Sequence, residues 1–163
     1  MDIPLAFEPL SQAHLDLAAA LWSDPAVTRY TAVGRPLTRE EAADRLDQLL
    51  ETQRKLPFPT LFAVMYRGER CGMVGCPPVD PQNGVFGLFY QIRQADWGKG
   101  VGGSAAKWMC SYMAQKCARL TLLADAAEEN EASVRILKAL GFVGTDQPGD
   151  GGALRYRWTA GMD

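Results

Sequence analysis

Apolar residues recur along the chain with two periods, and the switches between them lay out an α/β domain. Ile3 to Leu10 alternates weakly and predicts an edge strand, with Pro4 and Pro9 near its ends. Ser11 then stands as an N-cap, and Leu15, Ala18, Ala19 and Trp22 recur at helical spacing before Pro25. Thr38 and Glu41 form a capping box that opens a second helix with Ala42, Leu46, Leu49 and Leu50 on one face. Arg39, Glu40, Asp44, Asp47 and Glu51 give its other face a solvated character. Val27 to Leu37, between the two, is irregular.

Strand patterns fill the middle. Thr60 to Tyr66 and Cys71 to Val74 flank a turn at Arg67-Gly68-Glu69-Arg70, and Val85 to Ile92 reads as a third run. Val101, Ala105, Trp108, Met109 and Tyr112 make the clearest helical stripe. Leu120 to Leu123 is short and nearly continuous, as in a buried strand. Ser133 to Leu140 predicts a helix stopped by Gly141, and Phe142-Val143 and Leu154 to Trp158 predict two last strands around a Gly/Asp/Pro turn. The resulting order, β-α-α-β-β-β-α-β-α-β-β, is that of an α/β domain with a mixed sheet. No repeat or linker divides it, so residues 1–163 are expected to form one domain.

Composition narrows the function. The chain has 163 residues, of which 47% are hydrophobic, enough for one core burying roughly 70% of the unfolded surface. Seventeen Lys+Arg against nineteen Asp+Glu leave a formal charge of −2. No basic block is present, which disfavours nucleic-acid binding. No apolar run reaches the ~18 residues of a membrane span. No basic n-region and long apolar h-region follow Met1. A soluble, cytoplasmic protein is expected. Cys71, Cys76, Cys110 and Cys117 form no Cys-x-x-Cys pair and no disulfide framework. The only histidine, His14, reads as an ordinary half-exposed side chain. One imidazole leaves no basis for a metal site or a Ser-His or Cys-His triad.

The chemistry concentrates at Trp97-Gly98-Lys99-Gly100-Val101-Gly102-Gly103, between a strand and the strongest helix. Glycines let the backbone turn sharply and approach a ligand, and a helix N-terminus offers free N–H groups to a phosphate. Gly98, Gly100 and Gly103 match the dinucleotide pattern G-x-G-x-x-G, with Asp125 further on, so a small nicotinamide-dependent oxidoreductase stays open as an alternative. Sixty residues after Gly103 are few for a full dinucleotide-binding unit, and no Gly-Lys-Ser/Thr follows at P-loop spacing.

Asp96-Trp97-Gly98-Lys99-Gly100 and Gly102 resemble the cofactor motif of the GNAT family of N-acetyltransferases, in the form used by its ribosomal-protein (RimJ/RimL-type) branch. Two further segments resemble that branch in the right order: Asn130 and Ser133 followed by Leu140-Gly141-Phe142, and Ser23-Asp24-Pro25-Ala26-Val27-Thr28-Arg29-Tyr30 after the first helix. The similarity runs from about Leu5 to Trp158. It implies a single α/β (α+β) domain with a central, mixed, mostly antiparallel sheet of about six or seven strands and about four helices.

The resemblance also implies acetyl-CoA as co-substrate. Its pyrophosphate would sit on the amides of Lys99, Gly100, Val101, Gly102, Gly103 and Ser104, next to Trp97 and Gly98. The pantetheine arm would lie along Ile92, Arg93 and Gln94, and the N–H near Ile92 would polarise the thioester carbonyl. Direct transfer to a primary amine would follow: a protein N-terminus, an amino acid, a polyamine or an aminoglycoside. Many family members place a tyrosine seven residues after the asparagine. This chain has Leu137 there, which leaves Ser133 as proton donor to the departing thiolate, or merely as a helix cap. Asn130 is a cofactor contact or a cap. Tyr90 matches a tyrosine common in the branch and is a candidate for the proton transfers, with Asp125, Glu128 and Glu129 as further candidates for the base. Asp125, Glu128, Glu129 and Glu131 together would form an acidic cleft for a cationic acceptor. Without a working acid the fold would be a non-catalytic acyl-CoA-binding module. The apolar strands are compatible with a homodimer, and Trp97 and Trp108 read as packing residues.

Overall fold

The computed structural model describes residues 3–31, 33–149 and 152–160. Asp150 and Gly151 of the expected last turn, Ala32 of the irregular stretch and the Met1-Asp2 start lie outside them.

The strands are β1 (Ala6–Pro9), β2 (Leu61–Tyr66), β3 (Glu69–Gly75), β4 (Pro78–Asp80), β5 (Val85–Gly87), β6 (Phe89–Ile92), β7 (Leu120–Ala126), β8 (Val143–Pro148) and β9 (Leu154–Ala160). The helices are α1 (Leu15–Trp22), a single turn α2 (Pro25–Thr28), α3 (Arg39–Arg54), α4 (Val101–Lys116) and α5 (Glu131–Ala139). Ser11 caps a 3₁₀ turn that leads into α1, and Thr38 and Glu41 form the expected capping box on α3.

The strands form two hydrogen-bonded sheets, ordered β1-β2-β3-β6 and β4-β5-β7-β9-β8. Every pair is antiparallel except β5 with β7. The apolar run Val85 to Ile92 is therefore two strands and not one. β5 pairs with β7, Leu88 donates its N–H to Leu123 at 2.8 Å, and β6 then leaves for β3. A run that is apolar throughout looks the same whether it serves one neighbour or two, so the hand-off has no sequence signature. β4, with two prolines around it, also escaped the alternation pattern.

The first sheet is buried on both sides. Ala18, Leu21 and Trp22 of α1 and Ala42, Leu46 and Leu50 of α3 pack with Leu61, Ala63 and Met73 on one face. Val101, Ala105, Met109 and Met113 of α4 pack with Phe62, Val64, Val74 and Ile92 on the other. Trp108 stacks on Phe7 with ring centroids 3.8 Å apart and meets Phe62 edge-on, which ties β1 to α4. Gly72 permits the tight β3–β6 contact, since a Cβ there would stand 2.3 Å from the Gln91 carbonyl oxygen.

His14 is buried and not half-exposed. Its Nδ1 accepts the Ser11 N–H at 3.1 Å, and its Nε2 lies 3.4 Å from Glu8, so the imidazole completes a cap and turns inward. Cys71, Cys76, Cys110 and Cys117 are free thiols. Among the described residues no three metal-ligating side chains come together, and no helix is long and apolar enough to cross a membrane.

Candidate functional site

β6 and β7 part company after Leu88, and the opening between them is the candidate site. Arg93 donates its N–H to Cys71, and the β3–β6 register pairs Gln91 with Met73 and Phe89 with Gly75. In an antiparallel ladder the backbone groups of alternate residues point to opposite edges. Phe89, Gln91 and Arg93 therefore face β3, while Tyr90 and Ile92 turn their N–H and C=O groups toward β7, as Leu88 does. By then β7 has moved away with β9. The Ile92 carbonyl on this open edge accepts the Trp97 indole N–H at 2.7 Å. The N–H groups of Tyr90 and Ile92 border the opening.

Gly98 and Gly100 lie just beyond, both with left-handed backbones at φ 78° and 82°. That region strains any side-chain-bearing residue. A Cβ at Gly100 would meet nothing, so conformation and not crowding requires glycine there. Gly100 is the N-cap of α4 and uses no side-chain cap. The N–H groups of Val101, Gly102 and Gly103 consequently begin the helix without intrahelical acceptors. The Ser104 N–H bonds the Gly100 carbonyl at 3.0 Å and belongs to the helical ladder. At Gly102 a Cβ would stand 3.7–3.8 Å from Ile136, Ile92 and Tyr90, which places this turn against the floor of the opening.

The charged residues of the segment hold one another. Asp96 is buried; its carboxylate accepts Lys99 Nζ at 2.9 Å and Arg93 Nε at 2.5 Å. Lys99 and then Arg93 hold the Asp96 carboxyl below its ordinary range. Arg93 also bonds Glu69 at 2.7 Å. Gln94 and Asp96 bound a 3₁₀ turn that leads to the half-exposed Trp97. Asp96 is part of the motif in the sequence, but its pairing is not read there, although Arg93, Asp96 and Lys99 stand three residues apart.

Tyr90 and Ser133, far apart in the chain, meet across the opening. Their hydroxyl oxygens are 2.7 Å apart. Burial pushes the Tyr90 phenol up to about 12, and the bond from Ser133 only partly offsets it. α5 starts at Glu131, with Asn130 as its N-cap accepting the Ser133 N–H at 3.4 Å. Ser133 is therefore inside the first turn and is not the cap; Asn130 fills that role. Leu137 is buried core.

β7 alternates buried and half-buried positions, and Asp125 is on the less buried side. Arg155 grips its carboxylate through two bonds of 2.9 and 3.0 Å. Glu128, Glu129 and Glu131 are exposed around the β7–α5 turn. The expected acidic cleft is thus reduced to one paired carboxylate and a solvated turn. A hollow of about 750 Å³ lies between β1 and the β2–β3 turn, and neither hydroxyl nor any glycine-turn amide lines it.

The fold as a whole is found in known proteins. The family model described as Acetyltransferase (GNAT) domain matches residues 5–143. An uncharacterised N-acetyltransferase, p20, of Bacillus licheniformis is 26% identical over 140 residues, covering 85% of this chain and 78% of p20. RimL, a ribosomal L7/L12 α-N-protein acetyltransferase solved with coenzyme A, superposes with a TM-score of 0.82 at 13% identity, covering 98% of this chain and 96% of RimL. A GNAT acetyltransferase of Bacillus anthracis gives 0.76 at 16% identity, with 98% and 96% covered. The yncA protein of Salmonella typhimurium, solved with acetyl-CoA, gives 0.75 at 17% identity, with 96% and 94% covered. The model match spans most of the chain, glycine turn and splayed strand included, and the chain belongs to the GNAT acetyltransferase family.

Proposed function

We propose that this protein transfers the acetyl group of acetyl-CoA directly to a primary amine while both are bound. The observation that carries the reading is the open edge of β6 beside the first turn of α4, where two sets of unspent N–H donors converge on one opening. Acetyl-CoA brings a pyrophosphate, an amide-bearing arm and an activated thioester. The residues fit each part. Val101, Gly102 and Gly103 offer first-turn N–H groups to the pyrophosphate, helped by the positive end of the α4 dipole. Tyr90 and Ile92 offer strand-edge groups to the arm, and the Ile92 N–H suits the charge that develops on an acyl oxygen.

Tyr90 and Ser133 serve the departing thiolate. A phenol raised by burial to about 12 stays protonated near neutral pH, so it donates and does not act as base. Its 2.7 Å bond to Ser133 gives a two-hydroxyl relay in which one proton moves out to sulfur while the proton shed by the acylated nitrogen passes to solvent, from which the pair is reprotonated. Ser133, set by the Asn130 cap on its N–H, presents the relay from α5.

The test is calorimetric titration with acetyl-CoA, with NADH as control. Saturable binding of acetyl-CoA alone, lost when Gly100 is replaced by valine, is expected. Thiol release in an amine screen then measures turnover. Absence of binding up to ~1 mM, about −4 kcal/mol, would overturn the reading. Binding without turnover on every amine would leave only an acyl-CoA-binding module.

A further inference from the structure

The β6 side chains divide between the two faces of the first sheet. Tyr90 and Ile92 pack toward α4, while Phe89 and Gln91 turn toward α1 and α3. On that second face Trp22 donates its indole N–H to Gln91 Oε1 at 2.7 Å. The guanidinium of Arg45, on α3, lies 5.4 Å from the Trp22 ring centroid. Trp22, Gln91 and Arg45 line a cavity of about 10 Å³ together with Thr28, Thr31 and Arg35.

A count of what these groups have left gives the cavity its character. Thr28 Oγ1 donates to the Asp24 carbonyl and Thr31 Oγ1 to the Thr28 carbonyl. Arg35 is bound by both oxygens of Glu41. Asp24 is engaged in capping Ala26. Two sets of donors remain. Arg45 is half-buried, meets no carboxylate among the described residues and has the Trp22 ring as its neighbour; its partial burial lowers its pKa. Gln91 has its oxygen fixed by Trp22, so its NH₂ is the free end of the amide. A guanidinium drawn partly out of water gains from an anionic partner. The Thr28 hydroxyl oxygen keeps acceptor capacity, but the strongest unspent groups on the cavity wall are donors, the Arg45 guanidinium and the Gln91 NH₂, and these suit an anion.

Position supplies the rest. Gln91 stands between Tyr90 and Ile92, so the cavity is lined by the β6 residue that separates the two bordering the opening, on the face away from α4 and the hydroxyl pair. The space takes one water-sized group, which suits the oxygen of a carboxylate whose remaining atoms stay in the opening. We propose that the acceptor carries a carboxylate a few bonds from its amine, and that Arg45 and Gln91 bind that carboxylate. This rests on the transferase reading above. The carboxylate comes from a free amino acid or from an acidic residue at a peptide N-terminus.

Initial rates at saturating acetyl-CoA test the proposal with free L-amino acids, their C-terminal amides, a tripeptide amide beginning with aspartate, and spermidine. The expected order puts carboxylate-bearing amines above the neutral amides and spermidine. Turnover of free amino acids with loss of activity on their amides assigns the small-molecule source; turnover of the acidic tripeptide assigns the peptide source. Arg45→Met is expected to lower kcat/KM for carboxylate acceptors about 100-fold, mostly through KM, with Arg45→Lys recovering part of it. Gln91→Glu keeps the Trp22 bond but pairs with Arg45 from inside, and should block carboxylate acceptors in a folded protein. Thermal shift by N-acetyl amino acids against their amides, with coenzyme A present, reads the site without turnover. An Arg45-dependent shift without turnover keeps the anion site and removes the transferase reading. Turnover that prefers spermidine or amides and ignores Arg45→Met keeps the transferase and overturns the proposal, and so does the absence of both shift and turnover.

Discussion

On the α4–α5 side of the opening, the groups offered to a ligand belong mainly to the backbone: first-turn N–H donors at Val101, Gly102 and Gly103, held by the left-handed Gly100. On the α1–α3 side they are side-chain groups, the guanidinium of Arg45 and the amide of Gln91. Backbone donors are present in every sequence that makes the turn, so that side suits a ligand common to a whole family. Side-chain donors change with one codon. The difference puts what is shared and what is particular to this chain on opposite faces of one strand.

The comparison breaks most sharply at the hydroxyl pair. Ser133→Ala should lower kcat about 100-fold with acetyl-CoA affinity unchanged. Tyr90→Phe should act alike, and the double variant should be little worse than either single one, because both remove the same bond. Full additivity in pre-steady-state thiol release would separate the two roles. Next in size is Gly100→Val. Forcing a β-branched residue to φ 82° strains the turn by about 1–3 kcal/mol, so acetyl-CoA affinity should drop roughly tenfold or more in calorimetry. Acceptor KM should stay within about twofold, since the acceptor face is built separately.

Asp96→Asn tests how the turn is held. Loss of the buried carboxylate under Lys99 and Arg93 should cost about 2 kcal/mol, read as a lower Tm at pH 7. The Asp96 carboxyl is held below its ordinary value in the folded state, so its contribution is full above the unfolded carboxylate range. It is lost as pH falls through the lowered folded value. The Tm difference between wild type and variant should therefore shrink in acid and not in base. The smallest effect belongs to Trp22→Phe, which keeps a ring under Arg45 but frees Gln91 Oε1. Acceptor KM should rise about threefold with kcat unchanged, as one neutral hydrogen bond is lost. An equal loss in kcat would show that Gln91 positions more than the acceptor.

What was legible in the sequence follows the same division. The glycine turn, the Thr38–Glu41 capping box and the α4 stripe are local patterns, and all stand where their residues predict. Ser133 and Tyr90 could be named because they sit in recognisable segments, but their 2.7 Å contact spans 43 residues and belongs to the fold. Arg45 carried no signal: it sits beside Leu46 on a helix whose neighbours are charged, and only packing shows that it points at Trp22. The start of α5 was misplaced by two residues because Asn130 and Ser133 are both good caps, and geometry chose the first. Asp125 looked available as a base because Arg155, its partner, lies 30 positions away.

The hand-off at Leu88 fixes a parity. Tyr90 is an even step from Leu88 and Gln91 an odd one, and the regular β3–β6 register keeps their side chains on alternate faces. A slip of one residue in β5–β6 would send the phenol to the acceptor's cavity and the amide to the relay, exchanging the two jobs at once. Leu88 bonds one sheet while the next residue joins the other, so such a slip would have to break both ladders together. The division of labour in this protein is thereby a matter of counting, enforced by a single peptide that two sheets hold in common.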